Sequence, residues 1–140
     1  MTTQFPMDFM VIDDRTVAAI DLETQLEDMG HRVVAVASHI KRAFERLETS
    51  AGEIDGVFLN PSLAGCSARP VAEKLFRLGL PYVLLTEMTP AELRRLGMRG
   101  PSLPFPAQPA ALASALRQIT AKVPPRFVSS TGGVTSAAFV

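Results

Sequence analysis

The sequence predicts an α/β domain built on a doubly wound parallel sheet. Short apolar runs alternate five times with stretches whose apolar residues recur at helical spacing. This alternation is typical of parallel strands joined by crossover helices, and right-handed crossovers place helices on both faces of the sheet. With 140 residues, of which 47% are hydrophobic, the chain has enough apolar material for one domain with its own core.

The predicted strands differ in how strongly they are marked. The first four are apolar enough to be buried on both faces, as the strands of a parallel sheet are. The fifth is weak, because it has only two residues and lies between Pro101 and Pro104. In chain order, the predicted strands are Phe9–Ile12, Arg32–Ala37, Val57–Leu59, Tyr82–Leu85 and Ser102–Leu103.

The first three predicted helices each carry an apolar stripe. The first covers Thr16–Met29 and stops at Gly30. Ser38 is expected to cap the second, whose stripe is Ile40, Ala43, Phe44 and Leu47. The third covers Pro70–Leu78 and closes at Gly79, with Ala72, Leu75 and Phe76 expected to face inward.

The last two helices differ in the strength of this signal. Thr89 and Pro90 open the fourth helix, whose apolar face is thin because Arg94 and Arg95 stand between its leucines. The final helix covers Pro109–Lys122 and has a clear stripe, formed by Leu112, Ala115, Leu116 and Ile119.

Domain boundaries follow from this pattern. Residues 1–122 are predicted to form the domain. Residues 123–140 lack the alternation and are predicted to be a C-terminal tail, either flexible or docked. They contain Pro124–Pro125, Ser129–Ser130 and Gly132–Gly133.

Composition excludes several classes of protein. Lys and Arg together number 14, as do Asp and Glu, so no basic excess predicts nucleic-acid binding. A single cysteine, Cys66, excludes an internal disulfide framework, and its expected place in a polar loop after the third strand predicts an exposed thiol. His31 and His39 are not spaced as metal ligands. Without a signal peptide or a long apolar run, we expect a cytoplasmic protein with no membrane partner.

Side chains that follow the strands are the candidates for function. In an open parallel sheet, ligands bind beyond the carboxyl ends of the strands. These positions hold Asp13 and Asp14, Asn60, Thr86, and Phe105 with Pro106.

The order and spacing of these motifs resemble a response-regulator receiver domain over nearly all of residues 7–122. The resemblance implies a flavodoxin-like fold with strand order 2-1-3-4-5. The first helix is similar to that of small stand-alone receivers. The matching stretches are Phe9–Asp14, Asp21–Glu23, Leu26–His31, Asp55–Asn60 with Leu63 and Gly65, Pro81–Thr86, and Phe105–Pro106 followed by Leu112.

Receiver chemistry, as the resemblance implies it, needs five groups. An acidic pair helps to hold Mg²⁺, an aspartate accepts the phosphoryl group, a hydroxyl bonds the phosphate, and a lysine balances its charge. The acidic pair matches at Asp13 and Asp14, and the hydroxyl matches at Thr86. The acceptor position holds Asn60, and the lysine position, placed by Pro106, holds Phe105.

These two departures predict a degenerate receiver, or pseudo-receiver. Asn60 is neutral and lacks the anionic oxygen that attacks a phosphoryl donor. Phe105 supplies no cation, and the loss of one carboxylate leaves Asp13 and Asp14 with weak Mg²⁺ binding at most. Ser102 stands where receivers usually carry a switching aromatic residue. We therefore expect no enzyme activity and no required cofactor.

Simpler structural roles are the alternative for each of these residues. Asp13 and Asp14 could cap a helix, and Thr86 could bond to the backbone at a strand end. Asn60 could hold a turn, and Phe105 is expected to fill the space of a lysine stem. Arg94 and Arg95 could form a solvated helix face or a binding surface.

Three functions remain open. The first is a stand-alone signalling module in a two-component phosphorelay, which binds a histidine kinase, a phosphotransfer protein or a regulator. A homodimer through its fourth and fifth βα units belongs to the same reading. The second is a receiver phosphorylated at Asp13, Asp14, Ser62 or Thr86. The third is a flavodoxin-like small-molecule binder, disfavoured because Asp13–Thr16 stands where a glycine-rich phosphate loop would be.

Overall fold

A parallel sheet of five strands forms the centre of the computed structural model, which describes residues 6–120. Its strand order is β2-β1-β3-β6-β7. When the separate hairpin β4–β5 is left out, this order is the predicted 2-1-3-4-5. The strands are β1 (Asp8–Ile12), β2 (Arg32–Ala37), β3 (Gly56–Leu59), β4 (Ser62–Leu63), β5 (Cys66–Ser67), β6 (Tyr82–Leu85) and β7 (Ser102–Leu103).

Within residues 6–120, four helices connect the strands of the main sheet and a fifth follows β7. They are α1 (Thr16–Asp28), α2 (Ile40–Ser50), α3 (Arg69–Leu78), α4 (Pro90–Arg95) and α5 (Pro109–Thr120), and a single 3₁₀ turn (Ala51–Glu53) follows α2. The predicted C-terminal tail and the predicted end of the last helix lie outside the described residues. No helix between residues 6 and 120 has the length and apolar character to cross a bilayer.

Two cores lie on opposite faces of the sheet. Alternate residues of β1 enter different cores, because successive side chains of a strand point to opposite faces. Phe9 and Val11 pack with residues of α1 and α5, whereas Met10 and Ile12 pack with residues of α2 and α3. All four are fully buried. The predicted double winding, with helices on both faces, is therefore confirmed.

Two features of the helices differ from the sequence predictions: the residue that caps α2 and the exposure of Phe76. His39, and not Ser38, caps α2, since its Nδ1 accepts a hydrogen bond from the backbone N–H of Arg42 at 3.3 Å. Phe76 is not inward but 81% exposed. It lies near the end of α3, where Val71 and Leu75 form the buried face and the described chain leaves an open groove beside it.

The hairpin β4–β5 was not predicted. Its two strands are antiparallel, with Leu63 opposite Cys66. The turn between them is Ala64–Gly65, and both residues have positive φ, 51° and 82°. Glycine adopts such a conformation without the steric cost that a Cβ adds. Cys66 thus lies in a short strand and not in a loop, and its thiol is exposed as predicted.

Candidate functional site

Asp13 and Asn60 come together because β1 and β3 are neighbouring parallel strands. Ile12 pairs with Leu59, and the backbone N–H of Asn60 donates to the carbonyl of Ile12 at 2.8 Å. The residue after each strand therefore lies at the same edge of the sheet. Thr86 follows β6, the neighbour of β3 on its other side.

The amide of Asn60 links the two carboxylates. Its Nδ2 donates to Oδ1 of Asp13 at 3.0 Å and to Oδ1 of Asp14 at 3.3 Å. Its Oδ1 accepts from the backbone N–H of Ser62 at 3.0 Å. Asn60 therefore acts as donor and acceptor at once. An ionised aspartate in this position could only accept, and would place a third negative charge against two others.

Arg15 supplies a cation that the sequence analysis did not identify. Its Nε and Nη2 donate to the two oxygens of Asp13 at 3.0 and 2.9 Å, and its backbone N–H donates to Oδ1 at 3.0 Å. The Asp13 side chain is only 1% exposed. A two-point contact between guanidinium and carboxylate is among the stronger ion pairs in proteins. Asp13 therefore carries a paired charge that water does not reach.

Phe105 packs against Arg15. The guanidinium carbon lies 5.1 Å from the centre of the Phe105 ring, within the range of cation–π attraction. The ring is 38% exposed, and its expected place in the space of a lysine stem stays a prediction. Arg15 thus contacts both a carboxylate and an aromatic ring.

Asp14 and Thr86 have structural partners in the backbone. Oδ2 of the exposed Asp14 accepts from the N–H of Ala64 at 3.0 Å, which ties the β4–β5 turn to the end of β1. The hydroxyl of Thr86 accepts from the N–H of Met88 at 3.1 Å. Neither acid caps α1 by its side chain, because Arg15 holds the N-cap position.

Hydrogen-bond donors compete with Mg²⁺ for the carboxylate oxygens of this site. Mg²⁺ needs oxygen ligands in octahedral geometry, but N–H donors already face both oxygens of Asp13 and of Asp14. Among the described residues, no three His, Cys, Asp or Glu side chains form a metal site. Weak Mg²⁺ binding at Asp13 and Asp14 remains a prediction from the sequence.

His31 lies away from this site, at the start of the sheet. It is 4% exposed, and its Nδ1 accepts from the N–H of Met7 at 3.1 Å. Its Nε2 has no partner among residues 6–120. Burial lowers the pKa of His31 below its ordinary value of 6.5, and the nearby Asp55 charge opposes this only in part. The folded chain therefore favours neutral His31.

Stability is expected to fall as the pH drops through 6.5, because the unfolded chain binds a proton that folded His31 resists. Uptake of one proton changes the free energy of unfolding by at most about 1.4 kcal/mol per pH unit. This dependence disappears once the pH is below the pKa of His31 in the folded chain. Urea unfolding between about pH 7.5 and pH 5.5 measures this pH dependence, because the range lies above the ordinary pKa values of Asp and Glu side chains. His31→Gln should flatten the slope, and His39→Asn, at an exposed cap, should keep it. An unchanged slope in His31→Gln would refute the assignment.

Comparison with solved structures places this fold among response regulators. The PhyR stress response regulator superposes with a TM-score of 0.72 at 25% identity, covering 89% of this chain and 48% of its own. SdrG from Sphingomonas melonis Fr1 gives 0.70 at 26% identity, covering 82% and 97%. PhyR from Brucella abortus gives 0.68 at 27% identity, covering 84% and 51%.

The extent of these matches is uneven. The chain spans about half the length of the two PhyR structures and nearly all of SdrG. No protein-family model and no curated protein matches the sequence. The shared fold and the strand order are those of a response-regulator receiver domain.

Proposed function

We propose that this chain, a response-regulator receiver domain, acts in signal transduction by binding other proteins and without phosphorylation of an aspartate. The observation that carries the proposal is the arrangement of Asn60, Asp13 and Arg15. The amide stands at the position that the receiver resemblance gives to the acceptor, and it donates hydrogen bonds where an acceptor would need an anionic oxygen.

The charge of the site supports the same proposal. Phosphoryl transfer to a carboxylate needs that carboxylate as a free anionic nucleophile, and cations must stabilise the phosphate oxygens. Asn60 supplies no such anion. Arg15 is the cation next to the site, and the buried Asp13 carboxylate already pairs with it through two hydrogen bonds. A phosphate there would have to compete with this ion pair.

Protein partners are the expected readout of such a domain. PhyR from Bartonella quintana, which has the same fold at 22% identity, is named an anti-anti-sigma factor. We infer that this chain acts on a histidine kinase, a phosphotransfer protein or another regulator. A homodimer through the β6–α4 and β7–α5 units remains part of this proposal.

Treatment of the full chain with Mg²⁺ and acetyl phosphate is expected to leave its mass unchanged, because no free carboxylate stands at position 60. Intact-mass spectrometry measures the result, and a receiver with an aspartate acceptor in the same mixture is the positive control. A mass gain of one phosphoryl group would refute the proposal. Fragment mapping would then assign the phosphate to Asp13, Asp14, Ser62 or Thr86.

A further inference from the structure

A groove opens at the end of the sheet opposite the Asp13 site. It lies where β6 begins, at Tyr82, and where α3 ends, at Gly79. The loop that follows α4 forms its other wall, and the whole groove has a volume of about 680 Å³. Because the strands are parallel, this groove and the Asp13 site are separated by the length of β6.

The loop that forms this wall is held in place by glycine backbone. α4 has six residues, whereas the other four helices have ten to thirteen. At Gly97, with φ of 78°, a Cβ would lie 2.7 Å from Nε of Arg69. At Gly100, with φ of 147°, a Cβ would lie 3.4 Å from the carbonyl oxygen of Tyr82. Both φ angles favour glycine, and a Cβ at Gly97 would also displace the Arg69 side chain, so a substitution at either position would disturb this wall of the groove.

The groove combines an exposed aromatic ring with unpaired cations. Phe76 lines the groove and is 81% exposed, although large aromatic side chains usually bury most of their surface. Arg77 and Arg99 also line the groove. Arg99 lines an adjoining cavity of about 330 Å³ as well, together with Arg94. The acid among the lining residues, Glu73, is already paired with Arg69 at 3.0 Å.

These arginines have no acidic partner within the part of the chain that the structure describes. None of Arg77, Arg94 and Arg99 forms an ion pair there. Since the whole chain has equal numbers of acids and bases, this excess of positive charge is local. Arginine and aromatic residues, phenylalanine included, are also enriched at protein interfaces.

We propose that this groove binds an acidic peptide segment of a partner protein, with one apolar side chain of that segment packed against Phe76. The inference names the surface for the binding function proposed above and rests on that proposal. Opposite charge would guide the segment to Arg77 and Arg99, and burial of the aromatic face would hold it.

Charge argues against the chain's own C-terminal residues as the occupant. Residues 121–140 contain Lys122 and Arg126 and no Asp or Glu, so their charge has the same sign as that of the groove. Shape argues against a membrane surface, because the apolar and basic residues line a concave groove and not a protruding face.

The test uses the full chain and three fluorescent synthetic peptides. The first is glutamate-rich with a central Phe–Leu pair, the second has lysine for glutamate, and the third has serine for Phe–Leu. Fluorescence anisotropy should show saturable binding of the first, and about ten-fold weaker binding of the others or none. ¹⁵N NMR should place the shift changes of the first peptide at the groove, and added salt should weaken binding.

Variants of exposed residues test the surface without disturbing the core. Phe76→Ser and Arg77→Glu should each weaken binding of the first peptide about ten-fold or more. Arg117→Glu, an exposed arginine on α5 outside the groove, should bind like the native chain. Circular dichroism of each variant should match that of the native chain.

Several results would overturn the inference. These are no saturable binding, equal binding of the lysine peptide, an equal loss in Arg117→Glu, or shift changes away from the groove. So would NMR contacts between Phe76 and residues 121–140 that the peptide does not displace, self-association that Arg77→Glu abolishes, or binding of anionic vesicles in place of peptide. Mass measurement on the same sample reports separately on phosphorylation, so failure of the two proposals can be told apart.

Discussion

Asn60→Asp is expected to destabilise the native chain by about 2–3 kcal/mol at neutral pH. The variant loses the hydrogen bonds that Nδ2 donates to Asp13 and Asp14, and hydrogen bonds to charged groups contribute about 1.5–3 kcal/mol each in favourable cases. It also places a third carboxylate within hydrogen-bond distance of two others, which raises the free energy of the folded state. Part of this cost is screened, because Asp14 is exposed.

Urea unfolding at pH 7 in the absence of divalent cations measures this change. Asn60→Ala removes the same hydrogen bonds without adding charge and should lose about half as much stability. Ser62→Asp adds a charge at the neighbouring exposed position and should change stability by less than about 0.5 kcal/mol. If Asn60→Asp unfolds at the same urea concentration as the native chain, the role assigned to the amide is wrong.

Phosphorylation is expected to require three substitutions together: Asn60→Asp, Phe105→Lys and Arg15→Ala. The first supplies the nucleophile, and the second supplies the lysine that the receiver resemblance implies. The third is needed because Arg15 holds both oxygens of Asp13 and would lie against a new ammonium group at position 105. Like charges at that distance repel, and a paired Asp13 is not free to bind Mg²⁺.

Intact-mass spectrometry after timed exposure to acetyl phosphate and Mg²⁺ compares the variants. The triple variant should gain one phosphoryl group. The pair Asn60→Asp with Phe105→Lys should react about ten-fold more slowly or not at all. Arg15→Ala with Phe105→Lys, which keeps the native Asn60, should remain unmodified and so locate the acceptor. Equal rates in the double and triple variants would show that Arg15 does not block the site.

Much of the fold could be predicted because the three central strands, β1, β3 and β6, are buried on both faces. The apolar run Phe9–Ile12 and its counterparts mark such strands directly, and the strand order followed from the receiver resemblance. The edge strand β2, also expected to be buried on both faces, is not, because no strand of the described chain covers its outer side and Val36 is 45% exposed. The β4–β5 hairpin was missed because Ser62–Ser67 shows no extended alternation. Phe76 was misplaced because helical spacing gives the direction of a side chain but not whether a neighbouring element covers it.

The sequence predicted where the candidate site lies, but not all of the contacts between its side chains. Strand ends identify Asp13, Asn60 and Thr86, since parallel strands bring these positions to one edge. Arg15 follows the acidic pair directly in sequence, but its role depends on a side chain that turns back by two residues onto Asp13. Sequence spacing does not indicate such a return, although an Asp-x-Arg run at a strand end is a signal worth testing elsewhere.

The Arg15–Asp13 pair places a permanent cation of the chain itself beside the site, which affects how the activity of the protein would be regulated. A built-in guanidinium cannot be withdrawn when cellular magnesium falls or when a phosphate donor runs out. On the proposed function, every folded copy would then be equally competent, whatever the metabolic state of the cell. The activity of such a regulator would depend on its cellular concentration, which its rates of synthesis and proteolytic degradation set.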